Sequence, residues 1–157
     1  MKLNRLIRLL ISAILAWFPL FVTSTGFAAV AESKEQRCLQ AAILAEARGT
    51  SKGTMQAVAD VVVNRSKQQG KSVCSILKQP KQFAKLYQGK KHSSKNQSEK
   101  VQQDLQQSKE IAYNTLHRGS TNKQVLFFHV KGKKYAWTRK LRFVKQDKWH
   151  KYYALND

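Results

Sequence analysis

Cys38-Leu39-Gln40-Ala41-Ala42-Ile43-Leu44-Ala45-Glu46-Ala47-Arg48-Gly49 reads as an apolar helix stopped by a glycine. Glu46 shares a face of that helix with Ala42, Ile43 and Leu39, its neighbours three, four and seven residues back. An acid on an apolar face loses hydration, and lost hydration favours the protonated form. A carboxyl held protonated near neutral pH is suited to general acid catalysis. The competing reading is an ordinary solvated Glu at a helix edge, paired with Arg48 or capping a neighbour.

Outward from this stretch the helical pattern continues. A first helix is expected from Ser33 to Arg48 and a second from Thr54 to Gln68. Met55, Val58, Ala59 and Val62 form the apolar stripe of the second helix, and Gly70 follows its end. Val73 to Gln79 is a short apolar segment closed by Pro80, and Gln88 to Asn96 reads as an exposed, lysine-rich loop. A third long helix starts near Ser98 and ends before Gly119, with Val101, Leu105, Ala112 and Leu116 expected on its buried face. The composition then changes. Val125 to Val130, Leu141 to Lys145 and Trp149 to Tyr153 have strand character, and Lys131-Gly132-Lys133-Lys134 reads as a turn. Helices first and a small antiparallel sheet last predict an α+β domain.

The first residues read as an export signal. Met1 to Arg8 is basic, Leu9 to Val22 is apolar, and small residues lead to Ala28. That apolar core is short for a membrane span, so residues 1–28 are expected to be a signal peptide and 29–157 the mature domain. Export would take the chain to the periplasm, the cell wall or the exterior. The full chain has 29 Lys and Arg against 9 Asp and Glu, a net charge of +20. Without Lys2, Arg5 and Arg8 of the leader the remainder carries +17. So basic an exported domain is expected to adhere to a polyanion, such as an anionic cell-wall polymer. Cys38 and Cys74 would meet an oxidising compartment and are expected to form one disulfide. The histidines are scattered, which argues against a metal site, and no cofactor is expected.

Three ordered blocks carry a resemblance. They are Ala45-Glu46-Ala47-Arg48-Gly49, Ala57 to Arg65, and Val73-Cys74 through Gln82-Phe83. With Phe128-His129, Trp137 and the closing His150 to Tyr153, the set resembles the SleB-like cell-wall hydrolases, the relatives of spore cortex-lytic enzymes. The likeness runs from about Cys38 to Tyr153. This chain has Thr50 where the family often has a second acid, Ala84 where it often has Ser, Phe127 where it usually has His, and Tyr135 where it often has Pro. The resemblance implies a lysozyme-like fold and cleavage of peptidoglycan between N-acetylmuramic acid and N-acetylglucosamine, with one Glu, here Glu46, serving as acid and then base.

Glycosidases usually flank the scissile bond with two carboxylates. No other acid here sits in an apolar setting like that of Glu46. Asp60 comes nearest, but Gln56 and Asn64 beside it point to a polar surface or a hydrogen bond. A single carboxylate favours the lytic-transglycosylase route, in which the substrate's own hydroxyl is the nucleophile. The supporting residues have two readings each. Gln82 either hydrogen-bonds an acetamido group or caps a loop. Phe83, Trp137 and Tyr152 either stack on sugars or fill the core; core suits Phe83 better, and sugar contact suits Trp137. His129 and His150 either line the cleft or hold structure. Asn64 and Arg65 are expected to tie the second helix to neighbouring backbone. The alternative function is a noncatalytic, basic, glycan-binding envelope protein. Specific nucleic-acid recognition is not expected, and a monomer is.

Overall fold

Serine side chains start three of the helices. Ser33, Ser51 and Ser72 each accept a hydrogen bond from the backbone N–H three residues on, at 3.1, 3.2 and 3.2 Å. Each satisfies a donor that the first turn would otherwise leave open. The helices that follow are α1 (Lys34–Ala47), α2 (Lys52–Gln69) and α3 (Val73–Leu77). Gly70 closes α2 in the left-handed region at φ 60°, its N–H returning to the last turn. A fourth helix, α4 (Glu99–Arg118), precedes the strands β1 (Phe127–Val130), β2 (Leu141–Gln146) and β3 (His150–Leu155). The computed structural model describes residues 31–79, 83 and 99–156. The expected signal peptide, the loop over 88–96 and Gln82 lie outside them.

The layout is α+β, as the order of patterns predicts. The three strands are antiparallel in the order β1-β3-β2. A short 3-10 helix, Ala136–Lys140, joins the turn after β1 to β2 and has no counterpart in the sequence reading. β2 carries an irregularity between Phe143 and Lys145, and Val144 between them packs on the core.

Two apolar clusters hold the elements together. The larger takes Leu39, Ala42 and Ile43 of α1, Met55, Val58 and Val62 of α2, and Ile111 and Ala112 of α4. The smaller joins Ala57 and Val61 of α2 to Val125 and Tyr152. Phe128 packs against both, so α2 has one side on the helices and the other on the sheet. The Cys38–Cys74 disulfide ties α1 to α3, with Cα atoms 5.4 Å apart.

The buried side of α4 differs from the expected one. Asp104, Ser108, Ile111, Ala112 and Thr115 are buried, while Val101, Leu105 and Leu116 are only half-buried. The reason is hydrogen bonding. Gln40 of α1 donates to the Ser108 hydroxyl at 3.2 Å, and Gln56 of α2 donates to the Thr115 hydroxyl at 2.9 Å. With partners across the interface, these polar groups are buried at little cost.

Candidate active site

Glu46 lies in the last turn of α1, half-buried, at the edge of the stripe formed by fully buried Leu39, Ala42 and Ile43. Its position is set by the turn behind it. Gly49 adopts φ 78°, which a side chain would strain. The Gly49 N–H donates to Asp104 Oδ2 at 2.8 Å. Asp104 is 1% exposed and also accepts from Lys100 at 2.9 Å. Thr50 turns its hydroxyl back to the Ala47 carbonyl at 2.6 Å. A buried carboxylate on α4 thus clamps the loop that ends the helix of Glu46. Sequence reading missed this role; the one available signal is that Asp104 is four and seven residues from Ser108 and Ile111, on one helix face.

Glu46 opens into a groove of about 690 Å³ between the helices and the sheet. The sheet side supplies Phe127, Phe128 and His129 of β1, with Trp137 from the 3-10 helix. Trp137 is 40% exposed, and its ring lies 5.7 Å from His129 and 6.2 Å from Phe127. Phe83 contributes to the wall although it is almost fully buried in the larger cluster, 6.4 Å from Phe128. So Glu46, Phe83, His129 and Trp137, all singled out from sequence, meet in one groove.

His150 and Tyr152 are placed elsewhere. The His150 ring is buried edge-on against Phe128 at 5.2 Å. Tyr152 is fully buried in the smaller cluster, and its hydroxyl donates to Asp147 Oδ2 at 2.8 Å. Burial, and then this bond and the Asp147 charge, push the Tyr152 pKa far above its ordinary value. Its ring has no open face for a sugar, because Ala57, Val61 and Val125 cover it. Asp147 itself is pulled two ways. Burial raises its pKa, but bonds from the His150 N–H, the Tyr152 hydroxyl, the Trp149 N–H and the Thr54 side chain prevail, and the net shift is downward.

Arg65 departs from its expected role. Asn64 does tie α2 to backbone, donating to the Asn122 and Val125 carbonyls at 2.7 and 2.8 Å. Arg65 instead sets its guanidinium over the Phe127 ring, 5.4 Å from the centroid, and lines the groove with Glu46. Burial lowers its pKa from the ordinary arginine value, though an arginine stays charged in proteins. Lys133 and Lys140 also reach the groove, and among the described residues Glu46 is the one acid along its wall.

Asp60, Glu35 and Glu110 have partners of their own among the described residues. Asp60 is fully buried rather than on a polar surface. It accepts from Gln56 at 3.0 Å, from the Thr121 N–H and hydroxyl at 2.9 and 2.6 Å, and from the Asn122 N–H at 3.2 Å. Glu35 accepts from the Cys74 N–H at 3.2 Å, and Glu110 pairs with Lys52 at 3.2 Å. The stretch from Pro80 to Ser98 contains no Asp or Glu.

His129 is 8% exposed and both ring nitrogens are engaged. Nδ1 lies 2.8 Å from the Val130 carbonyl, which can only accept, so Nδ1 carries the proton. In the neutral ring Nε2 then accepts from the Tyr153 hydroxyl at 3.0 Å. This geometry makes His129 a fixed wall. Among the described residues no group of three or more His, Cys, Asp or Glu side chains is placed to hold a metal ion.

The sequence model of the cell wall hydrolase family matches residues 49–153. The chain belongs to the cell wall hydrolase family. Comparison with curated proteins and with solved structures finds no match. The family match begins three residues after Glu46 and spans α2 to β3, so it takes in the sheet side of the groove. The assignment of the acid within this cell wall hydrolase therefore rests on the groove itself.

Proposed function

We propose that this cell wall hydrolase cuts the glycan strand of peptidoglycan between N-acetylmuramic acid and N-acetylglucosamine as a lytic transglycosylase, with Glu46 as its single acid and base. The observation that carries this reading is that, among the described residues, Glu46 is the one carboxyl group lining a groove walled by aromatic rings. Aromatic side chains present flat apolar faces to a ligand, and a sugar ring has such faces to offer. A lysozyme-like arrangement, in which the acid on a helix faces a small sheet across the groove, fits the same description.

In this mechanism the Glu46 carboxyl protonates the glycosidic oxygen as the bond to C1 breaks. The C6 hydroxyl of the same muramic acid attacks C1, and the Glu46 carboxylate takes the hydroxyl proton. The product carries a 1,6-anhydro end and the carboxyl is restored. The nucleophile is tethered beside C1, so no water-activating base is required. A hydrolase would need a second carboxylate, at about 5–5.5 Å for retention or about 6.5–9.5 Å for inversion. The positive charge of Arg65 in the same groove favours the carboxylate that Glu46 becomes after giving up its proton. Export by the basic and apolar leader belongs to this proposal, and a disulfide suits the oxidising compartment it implies.

The test is the chemistry of the ends. Digests of purified sacculi are treated with sodium borohydride, which reduces ordinary muramic acid ends and leaves anhydro ends intact. Anhydro ends are expected. Digests containing only reducible ends would require a water-activating base and overturn the transglycosylase route.

A further inference from the structure

The glycan groove has a neighbour. A second hollow of about 370 Å³ lies against the sheet, and His129, Lys133 and Tyr135 line both. Lys134, Arg139 and Lys151 complete its cationic wall, and among the described residues no Asp or Glu lines it. The fold brings these charges together from separate elements. Lys151 of β3 is the register partner of His129 of β1, Lys133 and Lys134 follow the turn after β1, and Arg139 sits on the 3-10 helix. Among the described residues the ion pairs are Lys52–Glu110 and Lys100–Asp104, so none of these four cations has an acid partner there. The dividing wall is rigid, because both nitrogens of His129 are already engaged. An anion in the hollow would therefore be met by the lysines and the arginine.

We propose that this hollow is a subsite for the carboxylates of the peptidoglycan stem peptide. The proposal rests on the glycan-cleavage reading above. Muramic acid carries its peptide through the lactyl group on C3, so a strand lying in the groove sends its stem out sideways. Stem peptides bear free carboxylates on side chains and at their ends. The planar fork of Arg139 matches a carboxylate, and the lysines add point charges. A phosphate-rich wall polymer would also be attracted by charge. The shared walls favour the stem, because a ligand covalently joined to the strand in the groove reaches the adjoining hollow without a second binding event.

The test compares Glu46→Gln protein with the same protein carrying K134Q and R139Q, two residues that line the hollow and not the groove. Binding is measured to soluble glycan fragments bearing stems, to the same fragments stripped by an amidase, and to fragments whose stem carboxylates are amidated. The intact hollow should bind stem-bearing fragments roughly twofold to fivefold more tightly than either of the others, the range of an exposed ion pair. K134Q/R139Q should lose that preference while binding stripped glycan as before, and K134R should keep it. The preference should shrink as salt rises, since exposed charges are screened over about 8 Å at physiological salt. Equal binding of stem-bearing and stripped fragments by the intact hollow would overturn the proposal. So would K134Q/R139Q losing affinity for poly(glycerol phosphate) while stem removal changes nothing. Cleavage of sacculi by the unsubstituted protein is assayed separately: failure there removes the glycan-cleavage reading and leaves the binding comparison legible.

Discussion

The helical and sheet regions of this hydrolase hold their charges in opposite ways. On the helices, Asp60 and Asp104 are buried and hydrogen-bonded, and each pins a distant loop. From Gly119 to Asn156 there are ten Lys and Arg and one acid, Asp147. Most of those cations are exposed. The apolar side chains divide the same way: the larger core belongs to the helices, whereas Val130, Phe143, Trp149 and Leu155 of the sheet region are 42–52% exposed. Burial is thus concentrated in the helices and exposed charge on the sheet. The helical side holds Glu46 at the edge of the core, and the sheet side presents exposed rings and cations.

Glu46→Gln tests the helical side most severely. The amide has nearly the same shape and cannot serve as the acid. Glycan cleavage should fall by about 10² to 10⁴, with an unchanged melting temperature. Full activity in the folded variant would remove the acid from the helical side altogether.

The next largest effect concerns how that side is held. Replacing both Cys38 and Cys74 with Ser should lower stability by about 2–4 kcal/mol, because the disulfide closes a loop with a sequence separation of 36. Denaturant melts of the oxidised and substituted proteins measure it. Equal stabilities would mean that the helical core needs no staple.

Asp60→Asn separates structure from chemistry. The variant offers an amide to donors that now meet a carboxylate, and should lose roughly 1–3 kcal/mol of stability. It should still cleave glycan at temperatures where it is folded. Loss of cleavage in a fully folded variant would make Asp60 a second catalytic acid.

The smallest effect sharpens the sheet side. The Asp147 pKa in the folded state lies below its ordinary value of 3.8. The unfolded chain therefore takes up the proton first as pH falls. The contribution of Asp147 is full above the unfolded value and is lost as pH falls through the folded one. The stability gap between the native protein and Asp147→Asn should be constant near neutral pH and close below about pH 4. A gap that persists in stronger acid would show that the turn before β3 does not depend on this charge.

Local signals were legible in the chain before any folding was considered. Ser33, Gly49, Gly70 and Gly119 mark helix ends through capping and backbone conformations that depend on near neighbours. The change from helical to alternating periodicity after Gly119 determined the α+β order, because apolar spacing follows from the geometry of each element. The apolar face around Glu46 singled out the acid for the same reason. The sequence also brought Cys38 and Cys74 forward as a pair, and the structure joins them.

The fates of individual polar and aromatic side chains were decided in three dimensions. Arg65 follows Asn64 directly, yet one lines the groove and the other holds backbone, because residues one apart on a helix point about 100° apart. Tyr152 and Trp137 are both aromatics near the end of the chain, and only packing against Ala57 and Val61 puts Tyr152 in the core while Trp137 stays in the groove. Val101 and Leu105 gave up the deepest positions on α4 to Asp104 and Ser108, whose partners come from α1 and from the loop after it. The cationic hollow exists only because strand register sets Lys151 opposite His129. Hydropathy and spacing describe a residue's own segment, whereas these outcomes depend on what a distant segment offers it.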